Sequence, residues 1–128
     1  MKRGFLFFCF CVLSFFYGWN QLITHDGLGL YVEQHPETWA GDSILYGLGS
    51  FHELINQDRK ALRMYERVVK LYPDSPRGDV AQFGVASSCE RLKERQRSMK
   101  EYELYKEKYP KGRYIVSVSR NIEVLKGF

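Results

Sequence analysis

Three histidines and three cysteines are the residues of this 128-residue chain best suited to nucleophilic or metal chemistry. His25, His35 and His52 share no metal-ligand spacing, and Cys9 and Cys11 sit inside an apolar leader. Cys89 is left alone in the remaining chain, which excludes an intramolecular disulfide there. It reads as a small buried helix residue, because nothing beside it supplies the electropositive setting of a reactive thiolate. The chain has no nucleophile elbow, no phosphate-cradling glycine loop and no paired-cysteine motif. Most of the carboxylates read as solvated positions on outward helix faces. No catalytic residue, metal or cofactor is therefore expected.

The sharpest charged feature is the basic patch Arg91, Lys93, Arg95 and Arg97 at one helical corner. It reads as a solvated turn or as a docking patch for an acidic partner or an anionic lipid surface. Glu90 and Glu94 interleave with it, and the count is too low for a nucleic-acid groove. The formal net charge of +4 hides an uneven distribution. No Lys or Arg occurs from Gln21 to Gln57, whereas Asp58 onward carries 17 basic and 10 acidic residues. Opposite signs on the two halves can steer partners or order neighbouring copies, and are not the uniform basic field of a nucleic-acid binder.

The elements that must position any such residues are set by an apolar leader and a repeat. Lys2 and Arg3 precede a run from Phe5 to Tyr17 of signal-peptide length. Residues 1–20 read as a signal peptide or a retained N-terminal membrane anchor, and residues 21–128 as the exported domain. Lipidation is not expected, because Phe8 and Phe10 stand where small residues would precede a modified Cys.

A shift of 37 residues superposes Leu28, Tyr65 and Tyr102, then Tyr31, Val68 and Tyr105, and also Leu48, Val85 and Ile122. His35-Pro36, Tyr72-Pro73 and Tyr109-Pro110 share a further pair of slots, and Asp42 maps on Asp79. Self-similarity at such a period signals stacked helical units, each burying a face on the next. Expected helices run over Leu22 to Gln34, from an N-cap at Thr38 to about Ile55, and over Arg59 to Leu71. The next is capped by Ser75, with Pro76 at its first position and Asp79 in its first turn, and runs to about Lys93. A partner helix bears Met99, Tyr102, Tyr105 and Tyr109, and a last one from about Arg113 presents Ile115, Val118, Ile122 and Leu125. Gly27 and Gly29 weaken the first of these by about 1 kcal/mol each.

Leu48, Gly49, Ala61, Tyr65, Val68 and Pro73, and in the next unit Val85, Ala86, Ser98, Tyr102, Tyr105 and Pro110, resemble the tetratricopeptide repeat family. The Tyr-Pro-x-Ser phrase is similar to the variant in bacterial envelope proteins of the Tol-Pal-associated coordinator and outer-membrane barrel assembly types. The resemblance covers about residues 28 to 125, with 37 residues per unit against a usual 34. It implies an all-α solenoid of antiparallel helix hairpins and a binding role. In that family the first helix of each pair lines a concave groove, which implies Tyr46, Ser50, Glu53, Phe83, Ser87, Glu90, Arg91 and Arg120 as the partner-binding residues here.

The expectation is an exported, non-catalytic adaptor of the bacterial cell envelope that binds a protein or peptide, touches the membrane only through its N-terminal segment and binds no nucleic acid. Two alternatives stand beside it: a self-associating structural subunit and an accessory fragment of an enzyme complex. Val116, Val124 and Phe128 are expected to point away from the array, which makes the C-terminal helix a candidate contact with a second copy or with the partner.

Overall fold

The computed structural model describes residues 2–127, and Phe128 lies outside the described residues. Among them are seven α-helices and one π-helical turn, with no strand. Helix α1 spans Lys2–Trp19 and the π-helical turn Asn20–Thr24 continues it. Phe5, Leu6, Phe7 and Phe8 are all exposed at successive steps of about 100°, so α1 is apolar on every side. The stretch Gly4–Ile23 has a mean hydropathy of 1.6 over 20 residues, enough to cross a membrane by length and composition.

The expected helix from Leu22 to Gln34 is instead broken. Asp26 adopts a left-handed φ of 67°, and α2 runs only over Gly27–Gln34. The cause lies 41 residues away: Arg67 grips Asp26 through two parallel bonds of 2.7 and 2.8 Å and reaches Glu33 at 2.9 Å. The two glycines are there for close approach. A Cβ on Gly27 would stand 2.9 Å from the Gln21 carbonyl oxygen, and one on Gly29 would stand 2.7 Å from the Arg67 guanidinium. Ile23 and Leu28 then pack on the first core cluster, which ties the leader's end to the repeats.

Helices α3 (Gly41–Leu54) and α4 (Asp58–Leu71) form one hairpin, α5 (Gly78–Arg91) and α6 (Arg95–Lys108) the next, and α7 (Ile115–Lys126) closes the array. From α3 to α7 each helix packs on its sequence neighbours, so the core is a chain of clusters with no single centre. The first joins Val32, Leu45, Leu48, Met64 and Val68; the second joins Ala61, Leu62, Tyr65, Val85 and Cys89; the third joins Ala86, Tyr102, Tyr105, Val118 and Ile122. Full burial of each aliphatic side chain contributes roughly 1.5 to 3 kcal/mol. Ser98 takes the slot of Ala61 without penalty, because its hydroxyl donates to the Ala86 carbonyl at 3.0 Å.

The helix starts differ from expectation. Thr38 donates its hydroxyl to the His35 carbonyl at 2.6 Å and closes a turn, so α3 begins three residues later, after Ala40 at φ 57°. Ser75 donates to Asp42 of the preceding hairpin and accepts the Arg77 amide at 3.0 Å, and α5 begins at Gly78. Both hydroxyls are used on neighbouring turns and hairpins and so do not cap a helix. Helix α7 likewise begins at Ile115, two residues beyond Arg113.

Helices α3 and α5 end alike. The Gln57 amide bonds to the His52 carbonyl at 2.8 Å and the Asn56 amide to Glu53 at 3.0 Å; Glu94 repeats the first bond to Cys89 and Lys93 the second to Glu90. This Schellman geometry puts Asn56 and Lys93 in the left-handed region and ends α5 at Arg91, short of Lys93.

Candidate functional site

A cleft of about 570 Å³ opens between α3 and α5. Tyr46, Ser50 and Glu53 stand at i, i+4 and i+7 on α3 and so share one face; Phe83 and Ser87 repeat the first two on α5. All five line the cleft, together with Leu54, Tyr65, Val80, Gly84 and Tyr114.

Tyr65 of α4 forms the floor. A Cβ added to Gly49 would meet its Cε1 at 2.6 Å, and one added to Gly84 would meet its Cδ2 at 2.7 Å, so the ring is sandwiched between successive hairpins. Its hydroxyl donates to Glu53 at 2.7 Å. One period on, Tyr102 donates to Glu90 at 2.7 Å and accepts from the Asn121 amide at 3.0 Å. Burial first, with the adjacent carboxylate adding to it, pushes both phenols well above their ordinary value. Of the residues expected to carry packing, Leu48, Gly49, Ala61, Tyr65, Val85, Ala86 and Tyr102 are buried, and Pro73 and Pro110 lie exposed at the helix breaks.

Two side chains from the loops shape the cleft's aromatic end. The Arg77 guanidinium lies 5.4 Å from the centre of the Tyr46 ring, and Tyr114 stacks on Phe83 at 4.4 Å and 13°. Sequence reasoning missed both. They occupy one slot of the period, with Ala40 as its first member, but the residue type changes at each step, so the slot gives no sign of its role.

Glu90, Arg91 and Arg120 are not among the cleft's lining residues. Glu90 is taken by Tyr102, and Arg120 is exposed on α7 at the slot of Tyr46 and Phe83. Arg91 bonds Asp58 at 2.6 Å and Glu53 at 3.2 Å.

The basic corner is not an open cationic patch. Arg97 pairs with Glu66 and Glu94, and Arg59 reaches Glu94 at 2.6 Å. Arg95 donates to the Leu125 carbonyl, and Lys93 occupies the left-handed turn position. Arg91, Arg95 and Arg97 of the cluster are engaged in ion pairs and a carbonyl bond, and Arg59 first, then Arg97, holds the Glu94 carboxyl below its usual range. The cluster's acidic partners are distant in sequence, on α3 and α4, as well as adjacent.

The candidate nucleophiles and ligands are dispersed. Cys89 is buried and its thiol is pushed up to about 11, chiefly by burial. His35 is exposed and stacks on Tyr31 at 4.5 Å, while His52 is buried with Nδ1 3.1 Å from the Gln57 side-chain oxygen. Among the described residues no three His, Cys, Asp or Glu converge to hold a metal.

At the array's end, Val118 and Ile122 are buried, while Val116 is 79% exposed and Val124 half exposed. The slots that in α3 hold Leu45, Gly49 and His52 against α4 are filled in α7 by Ser119, Glu123 and Lys126. That face of α7 is therefore polar where the matching face of α3 is packed. Val124 falls in the row of Ser50 and Ser87, on the cleft side.

No curated protein and no solved structure matches the chain. Residues 43–75 match the family model described as tetratricopeptide repeat, so the α3–α4 hairpin and the turn after it are similar to that repeat, within an all-α array of helix hairpins.

Proposed function

We propose that the chain is a non-catalytic adaptor of the bacterial cell envelope that holds a protein or peptide segment in the cleft between α3 and α5. The observation that carries this reading is the cleft itself, where ring-bearing and hydroxyl side chains from two successive hairpins converge over a floor fixed by Tyr65. Its volume and its mix of apolar walls with a few polar groups suit a recognition site. The groove stripe of Tyr46, Ser50, Glu53, Phe83 and Ser87 forms the contact surface, with Arg120 and Val124 extending it. Tetratricopeptide repeats generally mediate protein–protein interaction, which supports a protein partner.

The exposed apolar α1 supports export, either as a signal or as an anchor that keeps the repeats outside the cytoplasm. Envelope extract passed over the immobilised full chain in detergent tests the reading. The double variant Tyr46→Ala, Phe83→Ala loses the captured protein while far-ultraviolet circular dichroism is unchanged; retention of that protein at wild-type level rejects the cleft. A second reading, self-association through α7, draws on exposed Val116 and Val124. Light scattering of the wild type against Val116→Lys, Val124→Lys measures it, and equal masses at the monomer value exclude it.

A further inference from the structure

The 37-residue period reaches into the leader. Gly4, Gly41 and Gly78 superpose on it, and so do the last residues of α2, α4 and α6, which are Gln34, Leu71 and Lys108. Residues 4–17 therefore stand in the register of α3 and α5, the first helices of their hairpins. Helix α2 keeps the place of a second helix, yet α1 does not pack as its partner: Phe8 and Phe15, in register with buried Leu45 and His52, are both exposed. Tyr31 records the loss. Its period mates Val68 and Tyr105 are fully buried, whereas Tyr31 is 53% exposed. On α2 the buried Gly29 and Val32 mark the face toward the array, and Leu30, Tyr31 and Gln34 fall on the opposite one.

The same unit carries large apolar groups at other outward positions. Trp39 is 90% exposed in the turn before α3, and Leu22 is half exposed in the π-helical turn. One and two periods later those slots hold Pro76 and Arg113, and Arg59 and Gln96. Asp26 and Glu33 bond to Arg67, while exposed His35 and Glu37 keep the patch polar enough to exclude it from hydrocarbon.

Helix α1 brings a bilayer to this face. The stretch Gly4–Ile23 is long and apolar enough to span, and Ile23 packs on the first core cluster. The Gln21 carbonyl oxygen would stand 2.9 Å from a Cβ on Gly27, so α2 starts against the end of that stretch. Leu30 and Tyr31 follow within about 6 Å along the helix at 1.5 Å per residue. The headgroup zone of one leaflet is about 5 to 7 Å thick, so both side chains are within its reach. Trp and Tyr, apolar in body and polar at the tip, are the residues that favour this zone. A soluble partner covering this face would have to share that zone with α1.

We propose that α2 and the Trp39 turn form a second contact with the bilayer, in which Leu30, Tyr31 and Trp39 sit in the headgroup zone beside the span of α1. The contact fixes the attitude of the repeats on the membrane, which a single span does not. It rests on α1 being kept as an anchor, a reading supported by Phe16, which stands where a cleavage site ending at Gly18 would need a small residue.

The chain has two tryptophans, so Trp19→Phe leaves Trp39 as the reporter and Trp39→Phe leaves Trp19. Each full-length variant is placed in nanodiscs of phosphatidylcholine, with and without bromine on the upper acyl carbons, and titrated with aqueous iodide. The expected result is at least twofold quenching of both reporters by the brominated lipid, with iodide quenching Trp39 at least twofold less than it quenches N-acetyltryptophanamide. If the brominated lipid quenches Trp19 and not Trp39, the proposal is overturned and the anchor stands. Shielding of Trp39 from iodide without quenching by the brominated lipid also overturns it, because a protein surface then covers the ring. If neither reporter is quenched by the lipid, or if the intact mass of the chain extracted from membranes lacks residues 1–20, the anchor and the proposal fall together.

Discussion

Tyr65 donates its phenolic hydrogen to Glu53 at 2.7 Å, joining the floor of the cleft to its charged rim, and Tyr102 does the same to Glu90 one period later. The ring fills the space between two hairpins while its hydroxyl fixes a carboxylate of the preceding helix, so one side chain serves both packing and site geometry. Tyr65→Phe keeps the ring and removes the bond. It should lower stability by about 1 kcal/mol and leave the helical signal intact. Both phenols are raised above their ordinary value, so stability is level below about pH 10 and falls as pH rises past it. Ultraviolet titration of the wild type should show at least two fewer tyrosines ionising in the folded chain than in denaturant, since burial raises Tyr72 and Tyr105 as well; identical titration in the two states would contradict the geometry.

The glycines on α3 and α5 are not equivalent, and their differences are measurable. Gly49→Ala and Gly84→Ala each drive a methyl into the Tyr65 ring, and Gly49→Leu should cost about 1 to 3 kcal/mol. Gly47 lies on the same helix with nothing within 4 Å of an added Cβ. Gly47→Ala should therefore stabilise by up to about 1 kcal/mol through helix propensity alone. Urea denaturation of the three alanine variants separates the cases; equal effects at all positions would remove the sandwich as an explanation.

The hairpins, their breaks and the buried tyrosines were legible because they depend on short-range periodicity and on a fixed 37-residue repeat. What escaped depends on partners far along the chain. Nothing near Asp26 announces Arg67, and nothing near Ser75 announces Asp42, so the break before α2 and the late start of α5 had no local signal. Glu53 and Glu90 were expected in the groove, but their bonds to Tyr65 and Tyr102 were not, although the coincidence of both pairs on the same period was available as a clue. The basic corner looked cationic because its sequence neighbourhood is, while Glu53, Asp58 and Glu66 reach it from other helices.

Lys93 holds a left-handed φ of 62° in a turn where a side chain strains the backbone. Its counterpart Asn56, at φ 58°, tolerates that region better. Lys93→Gly should raise stability by roughly 0.5 to 1 kcal/mol, since the relieved strain exceeds the added freedom of the unfolded chain. Thermal melts at two salt concentrations check it and separate the backbone effect from the loss of one charge. A fall in melting temperature at both would show that Lys93 is held by contacts worth more than its strain.

His52 sets the acid limit of the first hairpin. It is 0% exposed, its Nδ1 faces the Gln57 side-chain oxygen at 3.1 Å, and its Nε2 is a buried atom without a hydrogen-bond partner. Burial is the first cause that lowers its pKa; Lys60 opposes its charge as well, while Gln57, Asp26 and the nearby Ile23 backbone, which lies outside good hydrogen-bond geometry to Nε2, counteract in part. The sign follows from linkage. The unfolded imidazole takes up a proton near pH 6.5 and the folded one only at lower pH, so stability is complete above about pH 6.5 and declines as pH falls toward the folded value. One such group gives a slope of at most about 1.4 kcal/mol per pH unit. Exposed carboxylates ionise near pH 4 and contribute little between pH 7 and 5. Replacing His52→Leu removes the titrating group while keeping an apolar side chain in the slot that Cys89 fills in the next unit. The wild type should lose stability from pH 7 to 5 and the variant should not. Parallel declines in the two proteins would move the acid sensitivity away from His52.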